Sequence, residues 1–264
     1  MEEMETTRKL MVGVLVSSKT LAGQTNKYPN RYPKVERIAE IFQDHPAALN
    51  LIHYNTDEPE TLSKQLRYIV EYSGLNLHGF QLNVVWPSVA EIEHFHAKTD
   101  RKYRLVLQVG AKAMMKCDSV NRTITSSIAR YKDLVDDILI DPSGGKGQSF
   151  NPEAALYLLR EIKERDFDIN LGIAGGLGPD RMMLIEPLLD EFPDLNIDAE
   201  GRLRTEQDDD LDVEIMCAYL TQAQQWFATT DKRPPRSSLI KSAEPLSKVV
   251  ERPRVGNYNM GPEE

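Results

Sequence analysis

The chain is poor in the residues that do metal and redox chemistry. Of its 264 residues, two are cysteine and five are histidine. Cys117 and Cys217 form no Cys-x-x-Cys pair, which excludes a zinc ribbon and a thiol redox motif and fits a reducing cytoplasm. His94 and His96 stand two apart on an expected helix, so they point in different directions and make a poor metal pair. His53 lies inside an expected strand and reads as a packed residue. No cofactor is expected. Long hydrophobic runs are missing too. The stretch Leu10–Val16 is far too short to cross a bilayer, and MEEMETTRKL lacks the basic start and apolar core of a signal peptide. Positive charge is in deficit, with 32 Lys and Arg against 41 Asp and Glu and a net charge of -9. Such a chain repels phosphodiester backbones. The cluster Lys232, Arg233 and Arg236 is short and reads as a solvated tail. Neither nucleic acid nor membrane is therefore expected as a partner. A nucleophile elbow, a Walker loop and zinc-ligand spacing are also missing.

What is present is alternation. Seven short apolar runs read as buried strands: 10–16, 48–54, 79–85, 103–109, 137–141, 169–175 and 195–199. Helical sequence follows each of them, at 33–43, 57–74, 88–98, 119–135, 152–165, 179–191 and 212–227. Pro33, Pro59, Pro152 and Pro179 fall in first turns, and Ser88 is a candidate N-cap. Strict β/α alternation implies a parallel sheet, either a closed barrel or an open doubly wound sheet. The first βα turn has no Gly-x-Gly-x-x-Gly, which counts against the open sheet as a nucleotide binder. The late strand ends favour a TIM-type (β/α) barrel over residues 1–228, seven-stranded or with an incomplete first βα unit. Residues 229–264, rich in proline and charge, read as a separate C-terminal tail.

Three late strand ends are rich in glycine: DPSGGKGQSF (Asp141–Phe150), AGGLGPD (Ala174–Asp180) and DAEGRLR (Asp198–Arg204). Glycine lets backbone N–H groups converge on an anion, and in these barrels phosphate sits at the loops after the last strands. Asp141 ends an apolar strand, where partial burial suits a general acid. Asp198 is placed the same way and could be a base, a ligand to a substrate hydroxyl or a cap. Arg31 could clamp a carboxylate with both arms of its fork, or could be an ordinary surface arginine.

These stretches resemble phosphoribosylanthranilate isomerase, a ribulose-phosphate-binding barrel. HYNTDEPETLSKQLRYIVEYSGLNLHGFQLN is similar to its third and fourth units. ILIDPSGGKGQSFNPE, GIAGGLGPDRM and LNIDAEGRLR are similar to its sixth, seventh and eighth. The resemblance covers about Leu10 to Arg204. It implies an Amadori aldose–ketose isomerisation of a small phosphorylated sugar derivative. A general acid opens the ribose ring and a general base then removes the C2′ proton. It gives Asp141 the acid position, and Gly175, Gly176 and Gly201, with Gly144, Gly145 and Gly147, the ligand loops. Asp198 matches the Asp before the last of these loops, and Arg31 the arginine that meets the anthranilate carboxylate. The departures are specific. The family's base is a first-strand cysteine, and here that whole first unit is missing. The family histidine after Gln-Leu is Asn83, which takes a ligand-binding position by the resemblance. Glu200 puts a negative charge beside the phosphate loop unless Arg202 or Arg204 offsets it. An enzyme is favoured, with a non-catalytic phosphate-ester-binding or interaction protein as the alternative. The gap left by a lost strand invites cover from the tail, an N-terminal segment or a second copy in a homo-oligomer.

Overall fold

Hydrophobic alternation and helix starts translate directly into a curled parallel sheet. The computed structural model describes residues 8–119, 123–142 and 151–231. The seven strands are β1 (Leu10–Ser17), β2 (Ala48–Asn55), β3 (Gly79–Leu82), β4 (Arg104–Gly110), β5 (Asp137–Asp141), β6 (Asn170–Ile173) and β7 (Asn196–Ile197). All pair in parallel in sequence order. The expected count of seven therefore holds. Among the described residues, no strand pairs with the outer edge of β1 or of β7.

Both faces of the sheet are apolar, as parallel sheets require. The outer face (Val14, Val16, Ile52, Phe80, Leu82, Leu105, Leu107, Val109, Ile138 and Ile140) packs under the helices. The concave face carries a small apolar layer of Leu51, Val106, Leu139 and Ala174. Above that layer, toward the strands' C-terminal ends, the inward positions turn polar.

Several elements differ from the sequence expectation. Helix Ala111–Ser119 begins directly after β4, ahead of the expected helix start at 119. Its AKAMMK start is made of strong helix formers with no breaker. The 33–43 helix is only a 3-10 turn, Val35–Arg37, and one α-turn, Ile38–Ile41, because Phe42 swings to extended backbone. The 179–191 segment opens as a 3-10 helix, Pro179–Ile185, before α-helix Glu186–Glu191. Pro187 cannot donate to the preceding turn, so the α-ladder starts only around it. The last helix, Val213–Asp231, runs past the expected domain boundary at 228. The tail from 232 onward lies outside the described residues. No described helix is long and apolar enough to cross a membrane.

Candidate functional site

The inward polar positions come together at the mouth. Register puts His53 of β2 opposite Gln81 of β3. Gln108 stands two residues beyond Val106, the β4 partner of Gln81. Asp141 ends β5 opposite Gly110. Asp198 follows β7, and its N–H donates to the Ile173 carbonyl at 2.9 Å. The two carboxylates singled out from the sequence are thereby joined. Gln108 Nε2 donates to Asp141 Oδ2 at 2.8 Å. Gln81 Nε2 donates to Gln108 Oε1 at 3.2 Å and to Asp198 Oδ2 at 3.4 Å.

The polarity of this chain follows from the amide. Each amide has one donor end and one acceptor end. Gln108 turns its donor to Asp141, so its oxygen faces Gln81. Gln81 must then spend both N–H bonds, on Gln108 and on Asp198. The cost falls on Gln81 Oε1, which is buried and has no hydrogen-bond partner. An unmatched buried acceptor costs about 1–3 kcal/mol. Neither glutamine is among the residues the sequence reading singles out. The available signal is a polar residue at an inward position of an otherwise apolar strand, in GFQL and RLVLQV.

Asp198 titrates above the ordinary carboxylate range. Burial is the main cause, and the charges of Glu200 and Asp141 act in the same direction. His53 and the Gln81 amide oppose it. Removing the amide therefore has a definite sign. In Gln81→Leu, Asp198 takes up its proton at still higher pH, because the donor that favours the ionised form is gone. A carbon-13 carboxyl titration, assigned with Asp198→Asn, measures this. No upward movement would show that the 3.4 Å contact does not matter. Tyr219, on helix Val213–Asp231, lies within reach of the Asp198 charge. Its hydroxyl is buried without a hydrogen-bond partner and titrates far above its usual value, first through burial and then through the Asp198 charge.

The glycine loops flank this floor. Gly175 and Gly176 have φ of 102° and 70°, where a side chain would be strained, so these glycines are required by the backbone. Gly201 opens the 3-10 turn Gly201–Leu203, with open space where a Cβ would project. The two loops touch through Arg202, which donates to Asp180 Oδ2 at 2.6 Å. Asn83 is exposed just past β3, its N–H on the Tyr54 carbonyl. Gly144, Gly145 and Gly147 lie outside the described residues.

Arg31 stands apart from this floor, across the unpaired edge between β7 and β1. Its Nε and Nη2 take both oxygens of Asp209 at 2.6 Å each, and Nη1 takes Glu200 at 2.9 Å. Glu200 is thus neutralised chiefly by Arg31. Arg204 is second at 3.9 Å, and Arg202 is engaged elsewhere. At the other end of the same seam, Arg8 donates to the carbonyls of Leu195 and Pro193 and lies over the Phe227 ring. Two arginines therefore span, top and bottom, the edge that strand pairing leaves open.

No family model matches the chain. Curated N-(5'-phosphoribosyl)anthranilate isomerases from two strains of Staphylococcus epidermidis are 29% identical over 169 residues. That alignment spans 58% of this chain and 76% of theirs. A crystal structure of phosphoribosylanthranilate isomerase, in complex with reduced 1-(o-carboxyphenylamino)-1-deoxyribulose 5-phosphate, superposes with a TM-score of 0.51 at 16% identity. The match covers 81% of this chain and 87% of that one. The chain thus has a phosphoribosylanthranilate isomerase-like fold, a TIM-type barrel represented here by seven curled parallel strands.

Proposed function

We propose that the chain is an isomerase of a phosphorylated sugar derivative, converting a phosphoribosylated amine to the corresponding aminodeoxyribulose phosphate. The observation that carries this is the pair of mouth carboxylates, Asp141 and Asp198, held to one another through Gln108 and Gln81. An Amadori rearrangement needs one group to give a proton to the ring oxygen and another to take one from C2′. Two carboxylates in different surroundings can divide that work. In this reading Asp141 is the acid. Asp198 is the base by its place in the mouth, linked to the acid through Gln81 and Gln108. Its upward shift makes it a stronger acceptor once ionised and confines that role to the pH range above its pKa. Asp198 also follows the last of the described strands, at the mouth that Asp141 faces. Gly175, Gly176 and Gly201 bind the phosphate through backbone N–H groups, with Glu200 held off by Arg31.

The test is conversion of phosphoribosylated aromatic amines by the purified full chain, followed as ketose formation. Turnover above buffer is the expected result. Sugar-phosphate binding with no conversion would leave a phosphate-ester-binding protein.

A further inference from the structure

The arginine at the seam bears on what the site accepts. Three N–H groups of the Arg31 fork, on Nε, Nη1 and Nη2, are committed to the chain's own carboxylates. Asp209 is presented by a tight hairpin. Arg204 and Leu211 bridge antiparallel, Thr205 N–H donates to the Asp210 carbonyl at 2.8 Å, and Asp209 itself has φ of 58°. That hairpin is tied down twice more, by Asn30 on the Asp208 carbonyl at 3.0 Å and by Arg204 on the Asp209 carbonyl at 2.8 Å. Arg202, on the neighbouring turn, is on Asp180. Glu200, the second partner of Arg31, also acts on Asp198 of the floor by its charge.

A ligand carboxylate arriving here finds Arg31 and Arg202 bonded to the chain's own carboxylates and Arg204 bonded to the Asp209 carbonyl, with its buried Nε 3.9 Å from Glu200. To take the forked edge of Arg31 it must displace Asp209, exchanging one forked carboxylate for another with no gain. It would also release Glu200, whose charge already acts on Asp198, setting like charges together. We infer that Glu200 and the Asp209 hairpin make Arg31 a self-occupied clasp, so that the site takes phosphorylated aminosugars whose amine substituent carries no carboxylate. This rests on the proposed isomerase reading and narrows its substrate class. The bound ligand of the crystallised isomerase carries a carboxyphenyl group, and this chain should discriminate against it.

The test is calorimetric binding of two probes to the full chain: reduced 1-(o-carboxyphenylamino)-1-deoxyribulose 5-phosphate and its phenylamino analogue without the carboxyl. The wild type should bind the analogue at least about tenfold more tightly. Glu200→Gln with Asp209→Asn should erase or reverse that preference by freeing Arg31. If that double variant does not fold, Glu200→Gln alone, which keeps the Asp209 fork, should narrow the preference. Equal or tighter wild-type binding of the carboxyl compound overturns the inference while leaving the isomerase reading intact. If neither compound binds, the phosphate-site reading falls and the inference falls with it.

Discussion

Asp141→Asn is expected to lower kcat by about two to four orders of magnitude, the usual contribution of a positioned general acid, with KM nearly unchanged. The split follows from where the group acts. An amide has the shape of the carboxyl group but cannot hand a proton to the ring oxygen, so the loss falls on the transition state and spares ground-state binding. The fold should tolerate the change. The substituted amide can keep its carbonyl toward Gln108 Nε2, preserving the 2.8 Å contact that Asp141 accepts. Asp141→Glu should not rescue, since an extra methylene moves the oxygen off the Gln108 donor and away from the reacting atom. Steady-state kinetics with a thermal melt check both halves. A variant with ordinary kcat and raised KM would make Asp141 a binding residue and end its role as the acid.

The β/α alternation is legible because burial on both faces forces continuous apolar runs such as LMVGVLV and DILID, and proline and capping residues mark the helix starts. Strand ends are less legible. Residues 83–85 and 198–199 have the composition of strand, but β3 stops at Leu82 and β7 at Ile197. Trp86 then takes φ of 46°, and among the described residues β7 has a neighbouring strand on one side only. Asp141 and Asp198 are visible because a carboxylate ending an apolar strand is unusual. The amides between them are not, since the pairing of Gln81 with Gln108 and Asp198 depends on strand register and on the curl of the sheet. The partners of Arg31 are out of reach for a simpler reason. Glu200 and Asp209 lie 169 and 178 residues along the chain. Nothing local in NKYPNRYP selects them over a ligand.

Arg31→Met should open the seam and lower the melting temperature by about 4–8 °C. The side chains of Arg31, Glu200 and Asp209 are 21%, 32% and 31% exposed. Breaking a buried pair costs about 3–5 kcal/mol and an exposed one under about 1 kcal/mol. This half-buried, three-bonded cluster therefore contributes about 2 kcal/mol, and each kcal/mol moves the melting point of a chain this size by about 2–4 °C. Methionine keeps much of the stem's packing, so the loss reports the charge. Arg31→Lys should recover only part of it, because a single ammonium cannot satisfy both Asp209 oxygens and Glu200 together. The pH dependence has a definite sign. The Arg31 fork holds Asp209 below its ordinary pKa. Its stabilisation is therefore complete above the unfolded-state pKa of an aspartate and is lost as pH falls through the depressed folded value. The difference in stability between wild type and Arg31→Met should be largest near neutrality and shrink in acid. Thermal melts of both proteins across that range measure it. A difference that persists in acid would mean that Arg31 supports the seam by packing over Tyr28, whose ring centroid lies 4.7 Å from its guanidinium, and not by its carboxylate partners.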